Sequence, residues 1–211
     1  MWSTYVQGLA ALLTQLAAWL DGSYGLAIVV MALLVRLALL PLTLKSAEQG
    51  WLRQQQLAAL KPRLARLREQ HANDAAAQAR ATQALYRDHG ITTGFGSGLL
   101  AALVQAPLGA GIYAAIRQGV AGAGSFLWIP RLARPDTWLA LLVAGLSLAA
   151  MLLNPAMSDQ TRTLLHWLPV LVSFFMVWHV AAGLGLYWAG SSGVGLLQMA
   201  MLRRRVRPRI G

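Results

Sequence analysis

The chain has 211 residues, 57% of them hydrophobic and 12% charged, with a formal net charge of +11 and no cysteine. Soluble domains carry about a quarter charged residues, and the missing thiols exclude disulfides, thiolate metal sites and a lipidated N-terminal Cys while leaving the redox compartment open. The basic residues fall between apolar runs too long for an ordinary core, which argues against specific DNA binding and for one membrane domain with basic cytoplasmic loops.

In chain order, residues 1–23 contain no Lys or Arg. The positive n-region of a cleavable signal peptide is therefore missing. Trp2, Tyr5, Val6, Leu9, Leu12, Leu13, Leu16 and Trp19 recur at helical spacing, broken by Gln7, Thr14 and Gln15. That pattern predicts an amphipathic helix lying in the membrane interface, with a short first span as the competing reading.

Residues 24–44 form the first confident span, with Arg36 inside it and Pro41 near its end. Residues 45–95 are polar. Leu57, Leu60, Leu64 and Leu67 repeat at spacings of three and four, and Asn73 or Asp74 can cap a second, Ala-rich helix that ends near Gly90. This reads as a helical hairpin standing outside the bilayer; two helices lying on the lipid surface are the alternative. Pro62 is expected to kink or end the first arm.

The second span covers 96–117. A loop at 118–136 follows, and its Phe126-Leu127-Trp128-Ile129-Pro130 suits the membrane interface. The third span covers 137–155. Residues 164–202 are almost wholly apolar and long enough for two spans, at 164–181 and 183–202. The tail, 203–211, carries five arginines. The expected fold class is an all-α membrane protein: a five-transmembrane-helix bundle with a cytoplasmic helical hairpin and an N-terminal interfacial helix.

Charge sets the orientation. The hairpin region holds eight Lys or Arg, the third-to-fourth connection holds Arg162, and the tail holds five. All fall on one side of a five-span chain, while Arg117, Arg131 and Arg134 fall on the other. The positive-inside bias places hairpin and C-terminus in the cytoplasm and the N-terminus outside, in a plasma membrane.

Arg36 lies twelve residues into its span, roughly 18 Å from one end. A guanidinium stays charged in any protein, and facing it to lipid costs about 2.5–3.5 kcal/mol on insertion scales. No acidic residue lies within the apolar spans. The spacing therefore predicts a wet cavity that Arg36 faces; snorkelling to the headgroups is the alternative. Gln105, Ser147, Ser173, His179, Tyr187, Ser191, Ser192 and Gln198 are the polar residues of other spans that can line it. Ser191 and Ser192 can equally bond their own helix.

Taken together, these features resemble the core of the YidC-type membrane protein insertases, a bacterial family with mitochondrial and chloroplast relatives. Val35-Arg36 followed by Pro41-Leu42-Thr43 is similar to the family's first core helix, which carries the groove arginine. Leu60-Lys61-Pro62 and Ala84-Leu85-Tyr86 look like the two hairpin arms, and Val104-Gln105-Ala106-Pro107 like the Gln-Met-Pro element. Phe126-Leu127-Trp128-Ile129 resembles the external loop, Asn154-Pro155 a family Ser-Pro, and Gly183-Leu184 with Leu186-Tyr187-Trp188 the final helix. Thr92-Thr93 stands where the family has Asn-Pro, and the large external domain of Gram-negative members is absent, which marks a short or divergent member.

The resemblance implies a non-enzymatic insertase of the bacterial inner membrane, without cofactor or metal. Its substrate groove would comprise Arg36, Gln105, Ser147, Ser173, Tyr187, Ser192 and Gln198. Lys61, Arg63, Arg66, Arg68, Arg203, Arg204 and Arg205 would recruit the ribosome and its nascent membrane protein. Anionic lipids are further expected partners, and the Sec translocon is a candidate one. Substrate would slide into lipid along the third and fifth spans.

Two rival classes are weighed against this reading. Gly190-Ser191-Ser192-Gly193 fits the Gly-x-Ser-Gly pattern of rhomboid proteases with His179 as base, yet in rhomboids the His follows the Ser, and no His follows Ser192. A small channel or transporter explains a buried arginine but not a fifty-residue basic hairpin, and no internal repeat is visible.

Overall fold

The computed structural model describes residues 1–91, 96–153 and 167–206. Asn154-Pro155, Thr92-Thr93, Arg162 and the tail arginines Arg207 and Arg209 lie outside the described residues. The described chain is all-helical: α1 (Trp2–Trp19), α2 (Tyr24–Gln70), α3 (Ala75–Asp88), α4 (Gly96–Gly119), α5 (Thr137–Leu153), α6 (Leu168–His179) and α7 (Ala182–Val206).

α2 is one helix of 47 residues, about 70 Å at 1.5 Å per residue. Among the described residues it alone is long and apolar enough to cross a membrane by length and composition. The sequence boundary at residue 44 is therefore a change of composition, not of backbone. The helix also runs through Pro62 to Gln70, so Pro62 does not mark its end. Pro62 is exposed, so the carbonyl its missing N–H leaves free can be met by solvent. Ser23 caps the helix start, accepting from the Leu26 N–H at 3.3 Å.

α3 folds back along the end of α2. Asp74 caps it, accepting from the Ala76 and Ala77 N–H groups at 3.0 and 2.9 Å. α3 buries none of its residues, and a cleft of about 430 Å³, lined by Leu64, Arg68, Thr82 and Tyr86 among others, separates the two arms.

The bundle core joins α1, α2, α4, α5, α6 and α7. Leu13, Ile28, Met31, Ile112, Ile116, Leu139, Val143 and Val177 are among its fully buried side chains. α7 packs on both α2 and α5, and α5 on α6. α4 and α6 make at most marginal contact with each other.

α1 packs against α4. Tyr5 and Leu9 sit on Gly111 of α4, and Leu13 packs near Gly119. Both intervals are eight residues, so α1 runs lengthwise beside α4 in the same direction. A methyl at Gly111 would overlap the Tyr5 ring, which is how the two helices come so close.

The segment between α4 and α5 closes one end of the bundle. Phe126 and Ile129 exchange two backbone hydrogen bonds of 2.9 Å around a tight turn, with Leu127 at a φ of 51°. Phe126 lies over Gly25, and Ile129 and Leu132 are buried. The first N–H groups of α7 are met by this loop: Ala182 donates to the Arg134 carbonyl at 2.8 Å and Gly183 to that of Leu132 at 3.0 Å. The side chain of Asp136 accepts from the Leu139 N–H at 2.8 Å and caps α5.

Candidate groove at Arg36

Four helices each present a stripe to one cavity of about 380 Å³. α2 gives Val35, Arg36 and Leu39. α4 gives Gln105, Leu108, Gly109 and Tyr113. α6 gives Met176, Val180 follows at its C-terminal cap, and α7 gives Leu184, Tyr187, Trp188 and Ser191. The spacings of three, four and seven within each set are those of single helix faces.

No carboxylate lines the cavity, and Arg36 has no hydrogen-bond or ion-pair partner among the described residues. Its charge lies close enough to the Tyr187 phenol to act on it. Ser191 is 5% exposed. Its Oγ is sealed from solvent and makes no well-formed hydrogen bond among the described residues, although Tyr187 is near it. Toward the loop end, Ile28, Ile112, Ile116 and Val120 pack without exposure. At the other end, Leu44 and Trp51 of α2 pack on Leu202 of α7.

The geometry sorts the expected groove residues. It brings Arg36, Gln105 and Tyr187 together. Ser191 lines the cavity in place of Ser192, which is only partly buried beside it. Ser147 and Ser173 do not reach the cavity: their Oγ atoms lie 3.3 Å apart between α5 and α6. Ser173 donates to its own helix, at the Pro169 carbonyl, at 2.8 Å. Gln198 also stands apart, accepting a hydrogen bond from Thr43 at 3.0 Å. Tyr113 is the residue the sequence reading missed; the step of four from Gln105 to Gly109 to Tyr113 was the available signal.

His179 is exposed and its Nδ1 faces the Phe175 carbonyl at 2.7 Å. It is thus engaged by its own helix, and nothing pairs it with Ser191 or Ser192.

All the recruitment residues are exposed. Arg63 is tethered, however. His89 Nδ1 lies 2.9 Å from the Leu85 carbonyl, so that nitrogen donates and Nε2 accepts from Arg63 at 3.1 Å. Arg203, Arg204 and Arg205 occupy the last turn of α7, where cations favour the helix dipole.

The sequence profile of the 60Kd inner membrane protein family matches residues 15–209. The chain belongs to that family. Among relatives in the 60Kd family, the membrane protein insertase YidC of Fusobacterium nucleatum is 29% identical over 188 residues, 87% of this chain and 88% of that protein. Membrane protein insertase YidC 1 of Halalkalibacterium halodurans is 33% identical over 196 residues, 89% of this chain and 73% of that protein. The fold is similar to the crystal structure of an active YidC insertase, with a TM-score of 0.66 and 25% identity over 95% of this chain and 46% of that one.

Proposed function

We infer that this chain is a membrane protein insertase and that the Arg36 cavity is its substrate groove. The observation that carries the groove reading is a permanent cation, without any carboxylate beside it, in a cavity packed dry toward the loop end. Such a cation needs water. With the loop end closed, that water must come from the hairpin end. We place the hairpin end, with its basic residues and those of α7, in the cytoplasm, and α2, α4, α5, α6 and α7 across the membrane.

In this account a nascent segment with a short hydrophilic flank reaches the hairpin and the basic end of α7 from the ribosome. Anionic lipids hold the same basic end, and a translocon can deliver substrate to it. The flank enters the groove, where Arg36 attracts acidic groups. The groove thereby lowers the cost of carrying polar groups through hydrocarbon. Burial of the substrate's apolar helix in lipid supplies the free energy, so no nucleotide is required.

We place the lateral exit where the helices are least joined, whereas the sequence reading put it along the third and fifth spans. The third and fifth spans correspond to α5 and α7, which pack on each other. The loosely joined flank lies instead between α4 and α6. There Leu103, Tyr113, Leu171, Val172, Phe175 and Met176 are exposed. An apolar helix leaving the groove can slide along that face.

The dry loop end favours insertion over a channel, which needs openings on both sides. Site-specific photo-crosslinking tests the reading: probes at Gln105 and Tyr113 should capture a ribosome-bound nascent membrane segment. Capture only from the outer face of α5 would refute it.

A further inference from the structure

Between the cavity and the hairpin end, one polar pair joins α2 to α7. Thr43 stands seven residues after Arg36, and Gln198 seven after Ser191. Seven residues are two helical turns, about 10 Å. Both side chains therefore return to the faces that line the cavity, as the next polar step along it. Gln198 is 6% exposed, with the buried cluster of Leu44, Trp51 and Leu202 on the same two helices.

The Thr43 hydroxyl has one proton and three acceptors in reach: Gln198 Oε1 at 3.0 Å, the Leu39 carbonyl at 3.1 Å and the Leu40 carbonyl at 3.2 Å. Membrane threonines commonly bond their own helix. Thr43 can thus release Gln198 by turning one proton and remain hydrogen-bonded. The Gln198 amide nitrogen meets no partner among the described residues. Release leaves Gln198 with a free acceptor and two free donors. A peptide group, with one N–H and one C=O, complements both.

We propose that Thr43 and Gln198 form a latch whose opening lets the Gln198 amide bind the main chain of the substrate's hydrophilic flank on its way to Arg36. This rests on the groove reading above. In the resting chain Thr43 occupies Gln198 Oε1 and ties α2 to α7. An arriving peptide N–H takes that oxygen, the Thr43 proton turns to Leu39 or Leu40, and the peptide carbonyl accepts from the Gln198 nitrogen. The ligand is peptide backbone, recognised by hydrogen bonding rather than charge.

The test uses the full chain in proteoliposomes and follows co-translational insertion of a substrate with a neutral polar flank. Thr43→Val removes the competitor for Gln198 and should raise the capture rate about twofold to fivefold, whereas Thr43→Ser should match the parent. Gln198→Leu should lower the rate about fivefold; Gln198→Met carries the same expectation should the leucine variant fail to fold. Thr43→Val and Gln198→Leu break the same bond, so thermal melting should fall in both while insertion moves in opposite directions. A static brace predicts losses in both. Insertion falling in both, or changing in neither, overturns the latch. Arg36→Gln, assayed with acidic and neutral flanks, separates the two readings: if it alters flank preference while the latch variants behave alike, only the latch falls.

Discussion

Replacing Arg36 by Gln removes the charge that the groove reading depends on, and the structure sets the size of the effect. A sphere of the cavity's volume has a radius of about 4.5 Å, which places a flank carboxylate about 5 Å from the guanidinium. In a hydrated cleft the effective dielectric lies between the protein's ~20 and water's ~80. At ~40 the attraction is about 1.7 kcal/mol, or roughly fifteenfold in rate. Two substrates differing only in Asp or Asn on the flank, inserted co-translationally into proteoliposomes and scored by protease protection, measure that ratio. The parent should favour the acidic flank about tenfold to twentyfold. Arg36→Gln should bring the ratio near one, and Arg36→Glu should invert it. An unchanged ratio in both variants refutes the role assigned to Arg36.

Three further outcomes follow from the packing. Gly25→Ala should lower the melting temperature, because the new methyl overlaps the Phe126 ring that closes the loop end; overpacking of this kind costs about 1–3 kcal/mol. Ser147→Ala should leave insertion within about twofold of the parent, since the Ser147–Ser173 pair lies off the cavity. Asp74→Ala should destabilise α3 by about 1 kcal/mol through loss of its N-cap, seen as faster amide exchange at Ala76 and Ala77.

The sequence showed which segments are helical and which cation needs explaining, because apolar run length and a charge inside such a run are one-dimensional facts. Helix partners are not. Ser147 and Ser173 have the same composition signal as Ser191, and only the packing of α5 on α6 turns them toward each other. Ser191 and Ser192 are adjacent on α7, and the choice between them follows from the four-residue step from Tyr187. Tyr113 was within reach of the same periodicity, extended one turn past Gly109. For α1, the amphipathic pattern was plain in the sequence, but its partner was not. Gly111 supplies the close approach that stands the helix against α4. Pro62 does not end its arm, because proline removes one hydrogen bond and an exposed helix can give that carbonyl to water.

The central claim is that water reaches Arg36 from the cytoplasm and from nowhere else. The chain has no cysteine, and space beside Gly109 in the cavity is open to a larger side chain. Gly109→Cys, probed with a membrane-impermeant maleimide, therefore reads the cavity alone. The account predicts labelling in inverted vesicles, which expose the cytoplasmic face, and none from the external face of right-side-out vesicles. Labelling from outside, or protection from both faces, would contradict it.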